Sequence, residues 1–199
     1  MGKRRNQAPL AGAVLAGLMA GAACAGEGIA VQAVGKVDPA LVERAAGFLQ
    51  SNLLVRVRVL PPAAPRADTF EAAAAAAAKL REPGDAFLVA FVAAPRTTAQ
   101  APDLLATNRT AAINVRALAA PDAERAGRRF ERMAMRGLGS LLGLPLCPNP
   151  YCALTDRLTI TNLDDAARNY CPPCSGAAER AVRAAGLARL PEGAPPAGK

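Results

Sequence analysis

The chain has 199 residues, and 24 Lys and Arg against 16 Asp and Glu give it a formal charge of +8, yet it contains no histidine. The missing imidazole excludes histidine general bases, Ser-His nucleophiles and every histidine-ligated metal. Aromatic residues make up only 4%, too few for a base-stacking platform, so the basic excess reads as a solvated face and nucleic acid is not an expected partner.

Lys3, Arg4 and Arg5 precede an apolar Ala/Gly/Leu run over 8–23 that is too short to span a bilayer. Ala23-Cys24-Ala25 before Gly26 supplies the small residues of a signal peptidase site. Residues 1–25 are therefore expected to be an export signal, sending the mature chain to the periplasm or out of the cell. Lipidation of Cys24 is the alternative, and the one route to a membrane; Gly21 stands where a larger apolar residue is usual. Loss of the three cations brings the charge from +8 to about +5.

After a short lead from Gly26, a first helix is expected over 39–50, capped by Asp38 with Pro39 at its first position. V-R-V-R-V within 53–60 alternates as a half-exposed strand, and 61–68 is a loop. An Ala-rich helix over 69–80 ends at Pro83-Gly84. D-A-F-L-V-A-F-V-A-A over 85–94 is apolar without alternation, as in a strand buried on both faces. A loop over 97–105 and a strand over 109–118 follow.

Pro121-Asp122 opens a long helix in which Ala126, Phe130, Met133, Ala134, Leu138, Leu141 and Leu142 recur at three- and four-residue steps. Gly143 is placed to end it, and Pro145 cannot continue it. Cys147 and Cys152 come next. Asn162 and Asp164-Asp165 are expected to cap a short helix before Cys171 and Cys174; adjacent carboxylates there read as caps rather than a glycosidase pair. A final helix over 175–187 and a disordered Pro/Gly tail over 191–199 complete a single α/β domain spanning 26–190.

Of five cysteines, Cys24 belongs to the signal and four remain. A C-x4-C pair and a C-x2-C pair have the spacing to hold one tetrahedral zinc through four thiolates. Two disulfides are the second chemistry, since an exported chain meets oxidising conditions. A redox C-x-x-C is the third, though no thioredoxin-like strand precedes it. C-P-P-C also lacks the two intervening amides that would support sulfur charge.

The stretch from Ala126 to Cys174 resembles the archaemetzincins, a family of small zinc metallopeptidases whose signature is H-E-x-x-H-x-x-G-x-x-H on a helix, then Cys, a C-x-M turn and a distant C-x-x-C. The match runs through Leu138-Gly139, Gly143-Leu144, Cys147, Cys152-Ala153-Leu154 and Cys171-Pro172-Pro173-Cys174. The resemblance implies a metzincin-like α+β fold: a small mixed sheet, a long active-site helix and a four-cysteine C-terminal lobe. The departures fall on the chemistry. The three ligand histidines of the family align with Arg136, Ser140 and Leu146, its glutamate with Gly137, and its turn methionine with Leu154. Arg136 is a permanent cation, Gly137 has no side chain to take a proton, Leu146 has no donor atom, and Ser140 offers one weak oxygen.

The expectation is a pseudopeptidase with one structural zinc on Cys147, Cys152, Cys171 and Cys174 and no catalytic zinc. Arg136 would pair with a carboxylate, internal or on a bound chain, and peptide or protein binding in the old cleft would outlive the chemistry. A solvent-facing Arg136 is the bland alternative. An envelope lipoprotein with two disulfides and an active zinc peptidase of the family remain as other function classes.

Overall fold

Gly28–Val34 (β1) is buried at all seven positions, and this G-I-A-V-Q-A-V run, read from sequence as a variable lead, is a central strand. The computed structural model describes residues 28–64, 67–191 and 193. Residues 1–25, expected to be an export signal, lie outside them, as does the 191–199 tail except for 191 and 193.

β1 leads into Pro39–Leu53 (α1), where the Asp38 side chain accepts from the Ala40 amide as the cap and Pro39 opens the helix. Leu54, at φ 52°, closes that helix in the left-handed region, so the next strand starts later than its alternation suggested, at Val57–Ala63 (β2). β2 pairs only with β1 and is an edge strand, which is why it accommodates Pro61 and Pro62 without losing a ladder bond on both sides. Phe70–Ala78 (α2), capped by Thr69, returns the chain to Asp85–Val92 (β3), buried at every position as its unbroken apolar run requires.

Two differences from the sequence reading follow. The expected loop over 97–105 ends in a short strand, Leu104–Thr107 (β4), and a two-residue turn at Asn108-Arg109, both at positive φ, turns it back into Thr110–Asn114 (β5). The strand expected to reach 118 stops at Asn114, whose side chain accepts from the Arg116 amide and bends Val115–Leu118 into a 3-10 turn.

The sheet order is β2-β1-β3-β5-β4, with β4 the only antiparallel member. α2 covers one face, with Phe70, Ala73 and Ala77 against Ala30, Leu88 and Ala90. α1 and the long helix Ala123–Leu141 (α3) cover the other, packing on Val31, Val89, Phe91 and Ile113. α3 is strongly amphipathic, and its ring at Phe130 stacks on Phe91 with centroids 4.6 Å apart. Gly127 lets Arg44 of α1 cross close to α3: a Cβ there would stand 2.5 Å from the guanidinium, which bonds Glu124 and the buried Glu131. Among the described residues no helix is long and apolar enough to cross a membrane.

The Phe91–Phe130 stack seats α3 on the sheet. Phe130→Ala should cost about 3–5 kcal/mol, read as a lower urea midpoint with unchanged slope. A loss under about 1 kcal/mol would show that the helix is seated by something else.

Candidate metal centre

α3 ends where the sequence places its stop: Gly143 adopts φ +71° and the Leu144 amide closes back on the Gly139 carbonyl. The chain then forms a tight double turn. The Cys147 amide donates to Leu154 O, the Asp156 amide to Cys147 O, and the Cys152 amide to Asn149 O. Residues 159–170 form successive turns in place of the expected short helix; Asn162 and Thr159 bond each other's backbone, so the local capping chemistry closes a turn and no helix grows from it. The last helix, Pro172–Ala184 (α4), starts three residues earlier than expected, because Pro172 and Pro173 suit its first turn and Cys171 is its N-cap residue.

These turns bring Cys147, Cys152, Cys171 and Cys174 together. All four sulfurs lie within 4.8 Å of one another as unbonded thiols, with Cys147 Sγ and Cys171 Sγ 3.7 Å apart. Cys152 is fully buried and only Cys174 is partly open to solvent. A metal–sulfur distance of about 2.3 Å in a tetrahedron separates the sulfurs by roughly 3.8 Å, so the spacing and the all-thiol donor set fit zinc. The two amides that the prolines remove leave those of the cysteines themselves as donors. The Cys171 amide points to Cys152 Sγ at 3.4 Å, and the Cys174 amide is the main reason the Cys171 thiol is held below its ordinary value. Burial pushes the Cys152 and Cys174 thiols the other way.

The family's catalytic positions lie beside this cluster but do not form a second one. Arg136 is neither solvent-facing nor paired with a carboxylate: among the described residues it has no ion pair, and its half-buried guanidinium donates to Ala153 O (3.3 Å) and Thr155 O (2.8 Å). Ser140 donates its hydroxyl to Arg136 O one turn back along the helix. Leu146 is 57% exposed and turned to solvent. Gly137 is packed against the sheet, where a Cβ would come within 3.2 Å of Ala111 Cβ and 3.3 Å of Ile113 Cδ1. Leu154 fills the space beside Gly139, where a Cβ would meet it at 2.6 Å.

The sequence reading missed the residues that hold the cluster in place. Arg129 makes a two-pronged bond to the Asp164 carboxylate at 2.8 and 2.7 Å. Arg132, 3% exposed, donates to Ala166 O and Ala167 O, and burial lowers its pKa to about 10. Arg168 reaches the buried Glu131 at 2.6 Å, and the Tyr170 hydroxyl donates to Met135 O at 2.6 Å. Arg129, Arg132 and Arg136 recur at three- and four-residue steps, which is the signal that places them on one helix stripe facing these turns.

No family model matches the chain, and no curated protein matches it in sequence. Solved structures do. Archaemetzincin from Methanopyrus kandleri superposes with a TM-score of 0.64 at 16% identity, covering 79% of this chain and 97% of that one. Archaemetzincin from Archaeoglobus fulgidus, complexed with malonate, gives 0.60 at 19%, covering 75% and 98%. A zinc-dependent peptidase from Methanocorpusculum labreanum gives 0.62 at 16%, covering 76% and 100%. The chain has the archaemetzincin fold, as the resemblance of Ala126 to Cys174 implied.

Restoring the family's carboxylate should fail on steric and solvation grounds. Gly137→Glu is expected to lose at least about 2 kcal/mol, because its side chain must displace Ala111 and Ile113 or bury a charge among them; an unchanged urea midpoint would mean that the cleft is open there. Asp164 yields a pH prediction. The Arg129 bond holds its carboxyl below the usual range, so its contribution is complete above about pH 4 and is lost as the pH falls through the depressed folded value. Asp164→Asn should lower the midpoint at pH 7 and converge with the parent towards pH 2. A gap that persists unchanged in acid would refute this assignment.

Proposed function

We propose that the chain is a pseudopeptidase, an archaemetzincin-fold protein that is exported, holds one structural zinc on Cys147, Cys152, Cys171 and Cys174, and binds peptide or protein without cutting it. The observation that carries this reading is the convergence of all four remaining cysteines in a chain with no histidine. The zinc would tie the C-terminal lobe to the exit of α3, and its binding energy would add to folding.

The loss of turnover follows from what stands at each position. Hydrolysis in the family needs a metal-bound water and a carboxylate to take its proton. Here a guanidinium bonded to two carbonyls, a glycine pressed on the sheet, a hydroxyl bonded to the helix and an exposed leucine occupy those places. None offers a strong metal donor, and none accepts a proton at neutral pH.

Binding is supported by the sheet edge. Among the described residues β4 has no strand on its outer side, and Leu105, Ala106 and Thr107 are exposed along it beside α3. A short edge strand without proline or lysine is open to pairing by an extended chain. The opposite edge, β2, carries Pro61 and Pro62 and is blunted. Export rests on the residues of 1–25.

The test uses quenched fluorogenic peptide libraries with added zinc, alongside anisotropy binding of the same peptides. The expected result is saturable binding with no chelator-sensitive cleavage. Cleavage that chelator abolishes, in a preparation free of host proteases, would replace this reading with an active peptidase. Cleavage and binding both absent would restrict the role to a structural one.

A further inference from the structure

Arg136 occupies a position where the aligned family motif has a metal ligand, and its surroundings give it a different relation to metal. Its guanidinium bonds two main-chain carbonyls, Ala153 O and Thr155 O, in the turn that begins one residue after Cys152. Neutral carbonyls orient a cation but do not neutralise it. Among the described residues Arg136 has no ion pair, and the two ionisable groups that act on its charge are Cys152 and Asp156. The side chain of Asp156 is 47% exposed and sits 3.8 Å from Arg157, so it is solvated and partly engaged elsewhere. That leaves a half-buried cation bonded to the turn that follows Cys152, and burial disfavours its charge.

The cluster has the opposite need. A divalent ion on four thiolates keeps a net charge of about −2, in a centre whose sulfurs are mostly removed from water. Such a centre is stable only when nearby dipoles or cations answer that charge. The Cys171 and Cys174 amides supply dipoles. The missing element is a fixed positive charge, and a guanidinium is well suited to it because it stays ionised when buried.

Building on the structural-zinc reading, we infer that Arg136 is the counter-charge of the four-thiolate centre, a positioning residue that stabilises the metal-loaded state from outside the ligand set. A residue aligned with a catalytic ligand then serves a second metal site through charge.

The experiment measures zinc affinity by competition with a chromophoric chelator, at fixed pH and ionic strength, for the whole chain and for Arg136→Lys and Arg136→Gln. Cobalt substitution, read by thiolate-to-metal charge transfer, reports whether each variant still offers four sulfurs. The charge role predicts that Arg136→Gln weakens zinc about tenfold and Arg136→Lys by less than about threefold. Zinc affinity unchanged in Arg136→Gln would overturn the inference. So would Arg136→Lys as weak as Arg136→Gln, because lysine keeps the charge and loses only the guanidinium's two Nη1 bonds to the carbonyls. Asp156→Asn is an exposed change that leaves the fold alone; removing an anion beside Arg136 should tighten zinc about twofold, and weakening would count against the inference. A parent chain that binds no zinc would overturn the underlying reading as well, which separates the two failures.

Discussion

Four sulfur atoms within 4.8 Å of one another, three of them on buried residues, impose the constraint to which the rest of the C-terminal half answers. Four unbonded thiols so placed gain little from each other. A weak S–H donor and a weak sulfur acceptor do not repay the ordering of four separate chain positions. The arrangement becomes favourable when an ion replaces the protons, since ordering the turns is then offset by metal–sulfur bonds. Apart from the cysteines, the turns over 147–170, with their low content of regular structure, bury a small apolar set, chiefly Ala153, Leu154, Leu158, Leu163, Ala166 and Tyr170.

α3 is the rigid element from which that constraint is met. Its apolar face rests on the sheet through Phe130, Met133, Ala134 and Leu138, while its arginine stripe points to the turns. Arg129 holds Asp164, Arg132 holds the carbonyls of 166 and 167, Arg136 holds those of 153 and 155, and the Met135 carbonyl receives Tyr170 next to Cys171. The ties to 153, 155 and Tyr170 land within three residues of a cysteine, and the others brace the turns that lead to Cys171. Of this stripe only Arg136 stands where the family motif has a metal ligand, and the helix is the platform against which the turns that gather the four cysteines are held.

How much of this was legible in the sequence differs by element. α1, α2 and α3 were readable from local signals: Asp38 and Pro39 at the start of α1, the alanine run closed by Pro83-Gly84 in α2, and the three- and four-residue apolar spacing after Pro121-Asp122 in α3. β3 was readable from its continuous apolar run. β1 was not, because G-I-A-V-Q-A-V comes soon after the apolar run over 8–23 and has no helix cap or alternation to announce it; its identity as a central strand comes from pairing with β2 and β3, which is non-local. β4 is four residues long, and only its hairpin with β5 defines it. The cysteine site was legible as spacing, and its convergence depends on turns that Asn149, Asn162 and Thr159 close. Arg136 shows the limit of the method. The motif identified the position, but its actual partners are backbone carbonyls, which leave no mark in a sequence.

The central claim is that one metal centre exists and that it lies on the four cysteines. The most direct measurement is zinc content per chain together with a count of reactive thiols on the purified mature protein, before and after a chelator. The account predicts about one zinc per chain, with thiols that react only once the chelator is added. No metal and no reactive thiols would mean two disulfides in place of the site, and two zincs per chain would mean that a second, catalytic centre survives; either result contradicts the account.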